Sequence, residues 1–109
     1  LTVEYVRYRI ADPVRRGTFE KAYAAAAEHL YAAPQCLAYE LSRGVEDPER
    51  YVLRIEWTSL EDHEHGFRHG PHFPPFRDAV RPYTGDIEET RHYERTLVVD
   101  KRRGRPARA

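Results

Sequence analysis

Apolar and polar residues alternate over positions 2–10, TVEYVRYRI, and the enrichment in Val, Tyr, Thr and Ile predicts a first strand that ends at Asp12-Pro13. From Gly17 or Thr18 the period lengthens. Phe19, Tyr23, Ala26, Ala27 and Leu30 recur at helical spacing around an alanine run, with Thr18 as the expected N-cap. That helix stops at Ala33-Pro34, because a residue before proline is pushed out of the α region. Two short strands follow, 36–43 and 51–57, and the acidic turn between them, with Asp47-Pro48, makes them a hairpin. Ser59, three residues before Asp62, predicts a capped start for a second helix near 60–69, broken by Gly70-Pro71. Phe73, Phe76 and Val80 share one face of a further helical stretch over 73–81, closed by Pro82. A last strand is expected near 86–94, running on into Thr96 to Val99.

The order βαββαβ is that of the ferredoxin-like split unit, an α+β fold with a four-stranded antiparallel sheet and both helices on one face. Alternation assigns Tyr51, Leu53, Ile55 and Trp57 to one sheet face together with Leu37, Tyr39 and Leu41. The other face receives Val52, Arg54 and Glu56 with Cys36, Ala38 and Glu40. Both faces are too apolar to lie in water, and two helices cover only one. A homodimer packed sheet to sheet is therefore expected. Glu40, Arg54 and Glu56 should pair with one another or line a solvated pocket, since unpaired charges on a covered sheet cost several kcal/mol.

The chain of 109 residues is one domain's worth. The fold is assigned to residues 1–95, and residues 96–109 to an extension of the last strand followed by a basic flexible tail. Lys and Arg number 18, as do Asp and Glu, so no overall field marks a nucleic-acid or membrane binder. Residues 1–95 hold 13 basic against 17 acidic side chains, and residues 96–109 hold five against one. Cys36 is alone, which excludes an intrachain disulfide and a cysteine zinc cluster and makes a reducing compartment the default. Without a long apolar run or a basic-then-apolar leader, the protein is read as cytoplasmic. With no Met at position 1, the chain is read as lacking its natural start.

Four of the six histidines fall in the run HEHGFRHGPH. Helical spacing turns Leu60, His63 and Phe67 inward and puts His65 and His69 on another face. His63 is accordingly the candidate functional imidazole, the alternative being a core histidine held by a carbonyl or carboxylate. His65 and His69 have a metal-ligand spacing that His72 would extend, but Gly66 replaces the glutamate of the zincin helix, and no metal is assigned. Trp57, Phe67, Phe73 and Phe76 form an aromatic group that is either core or ligand wall. Tyr8, Arg54 and His92 are strand residues that would supply polar contacts to a largely apolar small-molecule pocket. No phosphate loop, nucleophile elbow or dinucleotide fingerprint occurs, which argues against phosphoryl transfer, serine hydrolysis and Rossmann redox chemistry.

The string CLAYELSRGVEDPERYVLRIEWTSLEDH, the PHF that follows Gly70 and the closing RHYE resemble the antibiotic biosynthesis monooxygenase (ABM) domain family. The resemblance covers about residues 2–95, and similar domains occur alone or fused ahead of truncated globins. It implies a dimeric α+β barrel with a pocket in each subunit between sheet and helices. It also implies a monooxygenase that acts on a small aromatic or quinol-like substrate with O₂ and no cofactor. In that chemistry His63 would be the base and Arg54 or Tyr8 would steady the substrate anion. Trp57, Phe67, Phe73, Phe76, His92 and His72 would contact the substrate. The alternatives are a haem-binding or planar-ligand-binding dimer without turnover, or a partner domain of a globin or oxidase. The haem-degrading relatives use an Asn, a Trp and a His ligand where this chain has Val6, Gly66 or Phe67, and Arg77, so that mechanism is not expected.

Overall fold

The computed structural model describes residues 1–100. The element order is β1 (Thr2–Arg9), α1 (Pro13–Ala32), β2 (Cys36–Arg43), β3 (Arg50–Trp57), a π-helical turn (Asp62–Phe67), α2 (Phe73–Val80), a 3-10 turn (Arg81–Asp86) and β4 (Ile87–Glu94). The strands form one antiparallel sheet in the order β2-β3-β1-β4, the expected ferredoxin-like arrangement.

Helix α1 begins five residues before Thr18. Asp12 caps it by accepting a hydrogen bond from the Val14 amide at 2.9 Å, with Pro13 in the first turn. An Asp cap followed by Pro is a strong start signal, because Pro has no amide to leave unsatisfied there. Phe19, Tyr23, Ala26 and Leu30 of α1 are buried against the sheet, as their spacing requires. On the sheet they meet Val6, Tyr8, Tyr51, Leu53, Ile55 and Trp57, and together these residues form the core.

The β2–β3 hairpin forms as expected. Its turn needs Gly44, where a Cβ would collide with the Asp47 carbonyl. One departure concerns the start of β2. A register shift between Cys36 and Ala38 puts Cys36 opposite Trp57 and packs it against the core. Leu37 is turned outward and is 53% exposed. The extra residue of a bulge resets strand parity, which simple alternation does not foresee. Tyr39 and Leu41 keep the inward positions that alternation gives them, opposite Ile55 and Leu53.

The last strand stops at Glu94 and does not continue to Val99. Beyond it the Arg95 amide reaches the Leu1 carbonyl at 3.2 Å. The expected basic tail lies largely outside the described residues. Among the described residues no helix is long and apolar enough to cross a membrane.

Candidate functional site

Strand parity brings a carboxylate inside. Thr2, Glu4, Val6, Tyr8 and Ile10 alternate onto the helix-facing side of β1, and all five are buried. Glu4 is 8% exposed and stands directly opposite His92 in the β1–β4 ladder. Its Oε1 accepts a hydrogen bond from the Trp57 indole at 3.1 Å. Burial pushes the Glu4 carboxyl above the usual carboxylate range, and the Trp57 hydrogen bond offsets part of that rise.

The third member comes from the segment after β3. Ser59 caps it as expected, its Oγ accepting from the Asp62 amide at 2.9 Å, and Thr58 donates to Asp62 at 2.5 Å. The backbone then adopts a π-helical turn, in which the Arg68 amide bonds the His63 carbonyl at 3.1 Å. Such turns are rare and recur at functional sites. His63 and Phe67 point inward from it, whereas Leu60, expected on the same face, is exposed. Leu60 lies before the π turn begins, so it does not share the turn's inward face.

The His63 imidazole is 5% exposed and stacks on Trp57, with centroids 4.4 Å apart and planes at 16°. Its Nε2 lies 3.6 Å from Glu4 Oε1, and its Nδ1 lies 3.2 Å from His92 Nε2. His92 Nε2 is in turn 3.5 Å from Glu4 Oε2. Burial, with His92 and then Arg68 adding repulsion, pushes His63 down to about 4, so its ring is neutral at neutral pH. A carboxylate and two imidazoles thus meet from three elements, and these are ligand types for a first-row metal ion.

Glu4 and His63 line a cavity of about 330 Å³ between the sheet and the helices, whereas His92, expected to contact the substrate, is outside its lining. Trp57, Phe67, Phe73 and Phe76 line it, so the aromatic group is both core and ligand wall. Tyr8 also lines it, sharing a very short hydrogen bond with the Tyr23 hydroxyl. Burial pushes the Tyr8 phenol up to about 12 and the Tyr23 phenol higher still. Arg68 and Arg77 contribute cationic groups to the rim, each over the Phe73 ring.

Two candidates fall elsewhere. Arg54 lies on the opposite sheet face, paired with Glu56 at 2.6 Å and bonded to the Tyr5 hydroxyl at 3.3 Å. Parity dictates this, since Leu53 and Ile55 on either side of it point inward. Its pairing with Glu56 bears out the expected partnership of strand charges; Glu40 stands opposite Arg54 but is exposed. His72 precedes α2 and lies outside the cavity lining. His65 and His69 stack on each other on the exposed side. Burial pushes the Cys36 thiol up to about 11, which leaves it a poor nucleophile.

Glu4 is the residue that sequence reasoning missed, although it shares its parity with Val6, Tyr8 and Ile10. A carboxylate in the inward register of a strand was the available signal.

Residues 3–80 match the family model described as antibiotic biosynthesis monooxygenase. Among curated proteins, the uncharacterised protein YczJ of Bacillus subtilis (strain 168) is 26% identical over 76 residues, spanning 70% of this chain and 80% of that protein. A Bordetella bronchiseptica structure, nominally an antibiotic biosynthesis monooxygenase, superposes with a TM-score of 0.71 at 26% identity, covering 88% of this chain and 97% of that one. SnoaB, a cofactor-independent oxygenase from Streptomyces nogalater, superposes with a TM-score of 0.64 at 21% identity over 90% and 98% of the two chains, a likeness of fold.

Proposed function

Because the chain belongs to the antibiotic biosynthesis monooxygenase family, we propose that it oxidises a small aromatic or quinol-like substrate with O₂ and without a resident cofactor. The observation that carries this reading is the aromatic-walled cavity lined by Glu4 and His63, with His92 hydrogen-bonded to His63 outside that lining. A cavity of about 330 Å³ is at the small end of ligand sites and suits one compact ring system. The cofactor-independent oxygenase activity named for SnoaB, which shares the fold, is consistent with it.

The chemistry asks for three things: a proton acceptor, a dry pocket and a substrate whose anion is electron-rich. His63, buried and neutral, faces the cavity and takes the proton from the substrate. His92, whose side chain is 29% exposed, lies against its other nitrogen and passes that proton to solvent. The carbanion gives an electron to O₂, and the two radicals combine to a peroxide. Loss of water from the peroxide leaves a carbonyl where a CH₂ had been. One oxygen atom of O₂ enters the product and the other leaves as water, with all four electrons drawn from the substrate. The Tyr8–Tyr23 pair, kept protonated by burial, offers a hydroxyl to the substrate oxygen as negative charge grows there.

A homodimer packed through the outer sheet face, in the cytoplasm, completes the reading. That face carries Val3, Tyr5 and Tyr93 beside Arg7, Arg54 and Arg95, with Glu56 pairing Arg54 at 2.6 Å and Arg95 at 3.7 Å. The haem alternative has less support, since of His63, His69 and His72 only His63 lines the cavity. Oxygen-electrode assays with a panel of quinols and anthrones, run on chelator-treated protein, test the proposal. Uptake of one O₂ per carbonyl formed is expected. Rates no faster than autoxidation across the panel would remove the oxygenase reading.

A further inference from the structure

Glu4, His63 and His92 bring together a carboxylate and two imidazoles whose ligand atoms also suit a cation. The pairwise contacts of 3.2–3.6 Å engage both nitrogens of His63 and both oxygens of Glu4, and one ligand atom from each of the three residues lies within 4.8 Å of the other two. Four ligands at the 2.0–2.1 Å typical of zinc–nitrogen bonds stand about 3.3–3.4 Å apart at the corners of a tetrahedron, so the three side chains would draw in around an ion. We infer that Glu4, His63 and His92 form a binding site for one divalent first-row transition ion, with the remaining coordination position open to the cavity.

Three further features support a site built to hold a cation. The ligands are a carboxylate and two imidazoles, a donor set that suits zinc or iron(II) and leaves room for an exogenous ligand. The Trp57 indole holds Glu4 Oε1, which leaves Oε2 turned toward His92, and such outer contacts orient ligands at metal centres. The elements that carry the ligands are also fixed. Glu4 and His92 are cross-strand partners, and Ser59 and Thr58 pin the start of the turn that carries His63. Arg68, whose charge acts on both Glu4 and His63, sits over Phe73 and is exposed.

The site does not depend on the oxygenase proposal and constrains it. An ion bound there occupies the same imidazoles that would relay the proton, so metal loading and cofactor-free turnover exclude each other. Isothermal titration of the chelator-treated full chain with zinc chloride, without substrate, therefore tests binding separately from the oxygen assay.

Saturation at one zinc per chain is expected. Loss of an outer-shell partner costs about 10–100-fold in metal affinity, so loss of a ligand in His92→Ala should weaken binding at least about a hundredfold. His92 is part-exposed, so this variant should keep its fold, which circular dichroism checks. Glu4→Gln, nearly isosteric, gives a second measure of the same loss. The stacked surface pair is the competing explanation, and a His65→Ala/His69→Ala variant should keep full affinity. Absence of saturable binding would overturn the inference. So would binding that survives His92→Ala and Glu4→Gln but disappears with His65 and His69.

Discussion

At one end of the helix-facing side of the sheet, Phe19 sits in the middle of Tyr8, Tyr23, Tyr51 and Tyr83, with ring centroids 4.8–5.1 Å away. At the other end Glu4 of β1 and His92 of β4 meet His63, beside a cavity. The first region is closed by a twenty-residue helix rich in alanine, and the second by a π turn and an eight-residue helix containing two prolines. The difference separates two jobs. Aromatic edge-to-face packing under a long helix supplies stability, while short, irregular covering elements leave room for a ligand and place polar groups against it.

Truncating the packed end should cost most. Phe19→Ala removes the ring that four others touch, and about 3–5 kcal/mol of unfolding free energy should disappear, measured by urea melts. The open end should respond the other way, with activity falling while the fold persists. His63→Ala is expected to lower kcat at least about a hundredfold, roughly 2.7 kcal/mol of barrier, and to destabilise the chain less than Phe19→Ala does. Unchanged turnover in a folded His63→Ala protein would take the imidazole out of the mechanism.

Tyr8 belongs to both regions, since it packs on Phe19 and lines the cavity. Its phenol has a folded-state pKa of about 12 against an ordinary value of 10. The folded chain therefore keeps a proton that the unfolded chain gives up. Its contribution to stability is complete below pH 10 and is lost as pH rises through about 12. Melts between pH 9 and 11.5 should show stability falling with pH, and Tyr8→Phe should flatten that slope. An equal slope in the variant would assign it to other groups. The smallest effect on turnover is expected from Arg54→Ala, because the guanidinium lies behind the sheet. Its effect should appear in the monomer–dimer equilibrium by analytical ultracentrifugation. A marked loss of turnover without a change in association would contradict that division.

Much of this was legible in the sequence because it follows from periodicity. The element order, the buried face of α1 and the inward position of His63 each need only a repeat of two or of three to four residues. What escaped depends on local geometry that no repeat encodes. The bulge resets parity at Leu37, and the π turn excludes Leu60. Helix α1 starts at Asp12-Pro13, a pair that also reads as the end of a strand, so one signal served two elements. Arg54 was grouped with Tyr8 and His63 by chemistry although its own strand's alternation put it behind the sheet. Glu4 was the converse case: its alternation pointed inward, but glutamate is so rarely buried that its position drew no notice.

The bulge at the start of β2 bears on how the chain behaves at high concentration. Among the described residues, strand β2 is at the border of the sheet, with a strand partner on one side only. A straight, regular border strand is a template for another chain's strand and hence for fibres. The irregularity at Leu37 breaks the even spacing of amides and carbonyls that such a template needs, so strand-by-strand growth at this border is interrupted near its first residue. By this means a small domain with a net charge of zero gains a local safeguard against aggregation that charge repulsion does not supply.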